Sequence, residues 1–281
     1  SDLEIAVDTH PVKGMYMPDG AVAYTAPAGG EYVVTANEGD AREYDCFAEE
    51  ERVKDLDLDP TAFPDAEAVQ ADESLGRLTV TTTSPRSDEG YTELHSFGGR
   101  SVSILGADGS QVWDSGDALE QLVAERDPEH FNSGHDDNDS FDSRSDAKGP
   151  EPEGLDIGTI GGSSYAFVGL ERDSGLAVVD VTDPTGAEIV GYAKNRDFSG
   201  DPEAGTAGDL GPEGVHFIPA VDSPTGEPLL LVGNEVSGTT TIWQVDAPGA
   251  LPEPTQPTDP TDEPTDPTDD STDDSTDEPT S

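Results

Sequence analysis

Six acidic residues recur at equivalent places in three stretches of the chain, and they are the side chains with the most chemistry to offer. Pro18-Asp19-Gly20, Pro152-Glu153-Gly154 and Pro212-Glu213-Gly214 each open a β-like run. Each run leads through a hairpin into a Val-rich strand that ends beside Glu38, Glu171 or Glu235. Repeats of this size imply an array in which every unit buries its faces against its neighbours. Equivalent strand ends in successive units then converge on one face or axis. Carboxylates gathered that closely cannot all stay ionised without cations, and hard oxygen ligands select Ca2+ or Mg2+ over softer metals. The bland reading is that these acids cap loop amides or pair with Arg42, Arg172 and Arg196 of the same blocks, since ion-pair networks also gather perturbed carboxylates. Both readings stay open at this level.

A second oxygen-rich stretch runs from Asp136 to Asp146 and offers Asp142 and Asp146 as ligands. It lacks the central Gly and closing Glu of an EF-hand loop, and a solvated loop is the commoner outcome in so acidic a chain. Asn138-Asp139-Ser140 in the same loop is an N-glycosylation sequon, which needs an exposed Asn. The candidate metal set is therefore Glu38, Asp40, Asp142, Asp146, Glu153, Glu171, Glu213 and Glu235. Arg42, Arg144, Lys148 and Arg172 are basic residues kept beside those acids, as anion-binding or ion-pair groups. A metal together with Arg is the equipment of phosphoester hydrolysis. No HExxH spacing or Gly-x-Ser-x-Gly elbow is present, so no catalytic residue is assigned.

The elements that must position these groups are short strands. Turn residues bound the runs Glu31 to Ala36, Tyr165 to Leu170, Leu176 to Val181, Leu229 to Gly233 and Thr239 to Val245, as in antiparallel meanders. Gly76 to Thr83, Tyr91 to Phe97, Arg100 to Leu105 and Gln111 to Trp113 read as a further, less similar unit. A helical turn is expected after Pro64, and a short helix over 114–125 with Ser115 or Asp117 as N-cap. The fold predicted is all-β, a β-propeller-like partial set of about four blades over residues 1–248. Residues 249–281 are a Thr/Pro/Asp tract with nothing to bury, expected to form a disordered stalk.

Acidic residues outnumber basic ones 62 to 13, for a formal net charge of −49. Eleven of those acids lie in residues 251–281 with no Lys or Arg, which leaves −38 on the body. Such a field repels nucleic acid and anionic membranes and suits a protein kept soluble in high salt, so a halophilic archaeon is the expected source. Cys46 is alone, so no intrachain disulfide forms. No apolar run is long enough to enter a bilayer directly.

The segments EYVVTANEGDAREY, SFGGRSVSILGADG, FDSRSDAKGPEPEGL, YAFVGLERDSGLAVVDVTDP, DLGPEGVHFI and LLLVGNEVSG resemble the choice-of-anchor I family, related to the mesenchyme-specific cell-surface glycoproteins. The likeness covers roughly residues 13–246. Members are generally longer at the N-terminus, so the chain reads as the C-terminal part of that domain. The resemblance implies a secreted, extracellular propeller-like domain tethered to the cell surface by a C-terminal anchor. The expected function is a surface binding or structural module stabilised by Ca2+, with an unidentified extracellular ligand. The alternative is a Ca2+-dependent extracellular phosphoester hydrolase of alkaline phosphatase or phytase type.

Overall fold

Alternation of apolar and polar residues, broken by Gly and Asp-rich turns, makes almost every regular element a short strand. In the computed structural model, which describes residues 4–245, the strands come in this order: β1 (Lys13–Met15), β2 (Ala21–Thr25), β3 (Glu31–Asn37), β4 (Glu43–Tyr44), β5 (Phe47–Ala48) and β6 (Glu50–Arg52). After the turn of helix α1 (Ala66–Val69) follow β7 (Thr79–Thr81), β8 (His95–Phe97), β9 (Ser101–Gly106) and β10 (Gln111–Asp114). Helix α2 (Ala118–Arg126) leads to β11 (Pro152–Ile160), β12 (Ser163–Leu170), β13 (Gly175–Asp180), β14 (Glu188–Lys194), β15 (Pro212–Ile218), β16 (Leu229–Asn234) and β17 (Thr239–Gln244). The stalk expected over 249–281 lies outside the described residues.

The strands form several small sheets and no closed barrel among the described residues. The first sheet has the order β10-β9-β3-β2, the second β11-β12-β13-β14, and the third β15-β16-β17. A small mixed sheet, β1-β8-β7-β6, contains one parallel pair, β1 with β8. Ser101 to Leu105 and Gln111 to Asp114 differ from the sequence expectation, because they complete the first sheet instead of a separate unit. Val34 pairs with Ile104 and Ala36 with Val102, and all four side chains are buried. A β2-β3 hairpin alone would leave that apolar face wet, and β9 covers it. Residues 38–100 are thus an excursion from the first sheet, with a core of their own around Val53, Leu78, Val80 and Leu94.

Sheets stack face to face. Val34, Val102 and Ile104 of the first sheet meet Leu155, Val168, Ala177 and Val179 of the second, and α2 adds Leu119 and Val123. Asp117 caps α2 with no side-chain bond, and Ser115 instead accepts the Val102 N–H on its hydroxyl. The second and third sheets meet through Phe167, Val178, Phe217, Leu230 and Trp243, with Phe167 and Phe217 stacked at 5.5 Å.

Glycine sets how closely the inner strands approach. A Cβ on Gly20 would lie 2.4 Å from the Glu153 carbonyl oxygen, and one on Gly154 would lie 1.6 Å from that of Glu213. The Gly of the first and second Pro-acid-Gly motifs is therefore the seat for the next motif's backbone. This close approach is what carries the repeat acids toward one another.

Candidate functional site

Asp19 lies just before β2, Glu38 just after β3, Glu153 within β11 and Glu171 just after β12. Because β11 lies against both β2 and β3, these strand ends converge. Carboxylate oxygens of Asp19, Glu38 and Glu153 all lie within 4.8 Å of one another, as do those of Glu38, Glu151 and Glu171. Glu38 thus joins two overlapping acidic triplets.

The two triplets are balanced differently. Glu151 is fully buried and is surrounded by Arg144, Lys148 at 3.0 Å and Arg172 at 3.3 Å. Burial pushes its carboxyl up, but those three cations outweigh burial and hold it down at about 2. Glu171 is buried and paired with His135 at 3.1 Å and Arg172 at 3.5 Å. Arg172 also lies 2.7 Å from His135 Nε2. Glu151 itself adopts a left-handed backbone, φ 56°, a conformation that side-chain-bearing residues adopt at a cost.

Glu153 has no such compensation. Burial, then the fields of Glu171, Glu38, Asp19 and Glu213, push its carboxyl up to about 8. Its Oε2 is buried and makes no hydrogen bond among the described residues. Burial likewise raises Glu38 to about 7, although Lys148 pairs with it. Two carboxyls therefore hold protons near neutral pH, in a group with more negative than positive side chains.

The remaining sequence candidates fall outside this group or on its rim. Glu213 is exposed and reaches Glu153 through its field. Glu235 is exposed. Asp40 is exposed and accepts the Ala41 N–H. Asp142 is buried and accepts the Ser145 hydroxyl, and Asp146 pairs with Arg77 at 2.8 Å and Arg52 at 3.5 Å. These two acids tie the 136–146 loop to its surroundings. Arg42 pairs with Glu49 at 2.8 Å, and its hydrogen bonds hold the Glu49 carboxyl down at about 2. Asn138 donates to the Phe198 and Gly200 carbonyls and accepts from Arg196, so its amide is committed to the fold.

Glu151 and His135 were not legible as site residues from the repeat. Glu151 carries a weak signal only in lying two positions before a repeat acid, and its left-handed backbone, which turns it away from the strand alternation, could not be read from the sequence. His135 carries none, because a loop fold brings it to Glu171. The Asn residues preceding Glu38 and Glu235 are structural clamps. Asn37 donates to Ser101 and Ser103, which donate on to Asp114. Asn234 donates to Thr239 and Thr241, which donate on to Asp209.

The donor set fits a hard cation. Ca2+ binds carboxylate oxygens at about 2.3–2.6 Å, so oxygens on opposite sides of one ion lie roughly 4.6–5.2 Å apart. Oxygens of Asp19, Glu38 and Glu153 lie close enough to reach one such ion, and a buried Glu153 oxygen is left without a hydrogen bond beside them. A cavity of about 510 Å³ lies elsewhere, lined by Asp8, Arg77, Arg100, Phe131, Asn132 and Asp142 among others.

The chain is 34% identical over 194 residues to gigasin-3a of Magallana gigas, an alignment that covers 63% of this chain and 67% of that protein. It is 31% identical over 205 residues to a mesenchyme-specific cell surface glycoprotein of Strongylocentrotus purpuratus, covering 59% of this chain but 26% of that protein. The Pseudomonas aeruginosa PilY1 C-terminal domain aligns at 17% identity over 50% of this chain and 28% of its own, with a TM-score of 0.23, too low to indicate a common fold. The family model for the choice-of-anchor I domain matches residues 1–184, which hold the first sheet, strands β11 to β13 of the second, and the whole acidic group apart from Glu213. On that match the chain belongs to the choice-of-anchor I family.

Proposed function

We propose that this chain is a surface-associated binding or structural module, secreted into a high-salt medium, whose sheets are propeller-like blades joined at a Ca2+ site. The observation that carries the reading is Glu153: its Oε2 is buried without a hydrogen bond, beside Asp19 and Glu38. A cation on Asp19, Glu38 and Glu153 would satisfy that oxygen and let the carboxyls ionise. It would also fasten the first sheet, which bears Asp19 and Glu38, to the second, which bears Glu153. Extracellular surface attachment is supported by family membership and by the name of the sea urchin relative, a cell surface glycoprotein. The acidic body supports a halophilic source.

A binding or structural role is favoured over phosphoester hydrolysis by the state of the basic groups. Arg144, Lys148 and Arg172 are engaged by Glu151, Glu38 and Glu171, so they are not poised around a space for an anionic substrate. The test is thermal unfolding in high salt with and without a chelator. Ligand linkage predicts a fall in melting temperature on chelation, equivalent to about 4 kcal/mol at a thousandfold excess of ion over its dissociation constant, and recovery on adding Ca2+. An unchanged melting temperature would leave the acids as ion-pair partners alone.

A further inference from the structure

The acidic group is short of positive charge by a definite amount. Its carboxylates are Asp19, Glu38, Glu151, Glu153 and Glu171, gathered in the two triplets that share Glu38. Among the described residues, the cations in contact with them are Arg144, Lys148 and Arg172. His135 adds none. The Arg172 guanidinium can only donate, and it lies 2.7 Å from His135 Nε2, so that nitrogen is an acceptor on a neutral ring. Five negative charges against three positive ones leave the ionised group two charges short.

Lys148 stands at the joint of the two triplets. Its ammonium donates to Glu38 Oε1 and lies 3.0 Å from Glu151 Oε2, with 16% of its side chain exposed. The turn that carries Lys148 and Glu151 has a left-handed backbone at Gly149 and Glu151, φ 67° and 56°, which brings the two side chains together. Arg144 and Arg172 also hold Glu151, whereas Lys148 is the one cation among the described residues that pairs with Glu38. A lysine ammonium is a compact monovalent cation on a flexible stem. It carries the same charge as Na+.

We infer that Lys148 decides which ions the site accepts: it holds the place that a monovalent ion would take on Glu38, and leaves a deficit that one divalent ion makes good. The inference rests on the Ca2+ reading put forward above and adds to it the residue that sets selectivity. A Na+ beside Asp19, Glu38 and Glu153 meets the like charge of Lys148 and still leaves the group one charge short. Ca2+ meets the same repulsion but gains twice the attraction of every carboxylate. In a high-salt medium this matters by mass action, because an abundant ion fills even a weak site.

The experiment is calorimetric titration of Ca2+ into the metal-free whole chain, in NaCl and in tetramethylammonium chloride at equal molarity. Equal ionic strength makes screening the same, and tetramethylammonium is too bulky to enter, so a difference between the salts reports Na+ in the site. The wild type is expected to bind Ca2+ with the same affinity in both. Lys148→Met should bind about tenfold or more tighter than the wild type in tetramethylammonium chloride and lose much of that gain in NaCl. Lys148→Arg keeps the charge and should be indifferent to the choice of salt. A wild type weakened by Na+ as much as Lys148→Met overturns the inference, and so does a Lys148→Met affinity no higher than the wild type. Either result leaves the Ca2+ site standing, whereas no saturable binding by any of these proteins overturns the site and the inference together. The wild-type comparison of the two salts can overturn the inference even where Lys148→Met does not fold.

Discussion

Glu171 and Glu235 hold the same place in their repeats, yet their surroundings give them opposite weights. Glu171 is 4% exposed and bonded to His135 and Arg172; Glu235 is exposed. Removing a buried, paired carboxylate leaves its partners uncompensated. Glu171→Ala is therefore expected to cost about 2 kcal/mol or more in chemical denaturation, and Glu235→Ala to stay within about 0.5 kcal/mol of the parent. Equal effects would mean that burial does not separate the two. The repeat made Asp19, Glu38, Glu153 and Glu171 legible in the sequence, because equivalent strand ends had to converge. It could not show that Glu235 is exposed where Glu171 is buried, nor that Glu151 draws off Arg144, Lys148 and Arg172. Both depend on which loop lies against which strand end.

At the scale of elements, the strand runs bounded by Asp and Gly turns were readable, and so were α2 and the turn after Pro64. The ladder partners were not. The pairing of Val34 with Ile104 closes a long loop, and nothing local in either strand encodes it. The Gly in Pro-acid-Gly was visible as a repeat, but its reason appears only in the stacking. Gly154→Ala would place a Cβ 1.6 Å from the Glu213 carbonyl, a backbone atom that cannot swing aside. It should push the second and third sheets apart and lower the melting temperature by several degrees, about 1–3 kcal/mol for an overpacked contact. A Cβ on Gly214 would meet no atom nearer than 4.0 Å, so Gly214→Ala should melt near the parent. If both variants melt alike, the glycine is not a seat.

The whole molecule combines opposing titrations. Glu153 and Glu38 are raised to about 8 and about 7 from 4.5. Without a cation, the stability they contribute is full below pH 4.5 and is lost as pH rises through 7 and 8. Glu151 is lowered to about 2, so its contribution is present above 4.5 and is lost as pH falls toward 2. Metal-free protein in high salt, where general repulsion is screened, should therefore melt lower at pH 8 than at pH 5. Saturating Ca2+ should remove that decline, because the ligands are then ionised in the folded state. Parallel melting curves with and without Ca2+ would count against the site. The most direct measurement is calorimetric titration of Ca2+ into the metal-free chain at pH 7, in high salt, in two buffers of different ionisation enthalpy. The account predicts one saturable site that releases about one proton or somewhat more, drawn from Glu153 and Glu38, and loss of that site in Glu153→Gln. Absence of saturable binding, or binding without proton release that survives Glu153→Gln, would contradict it.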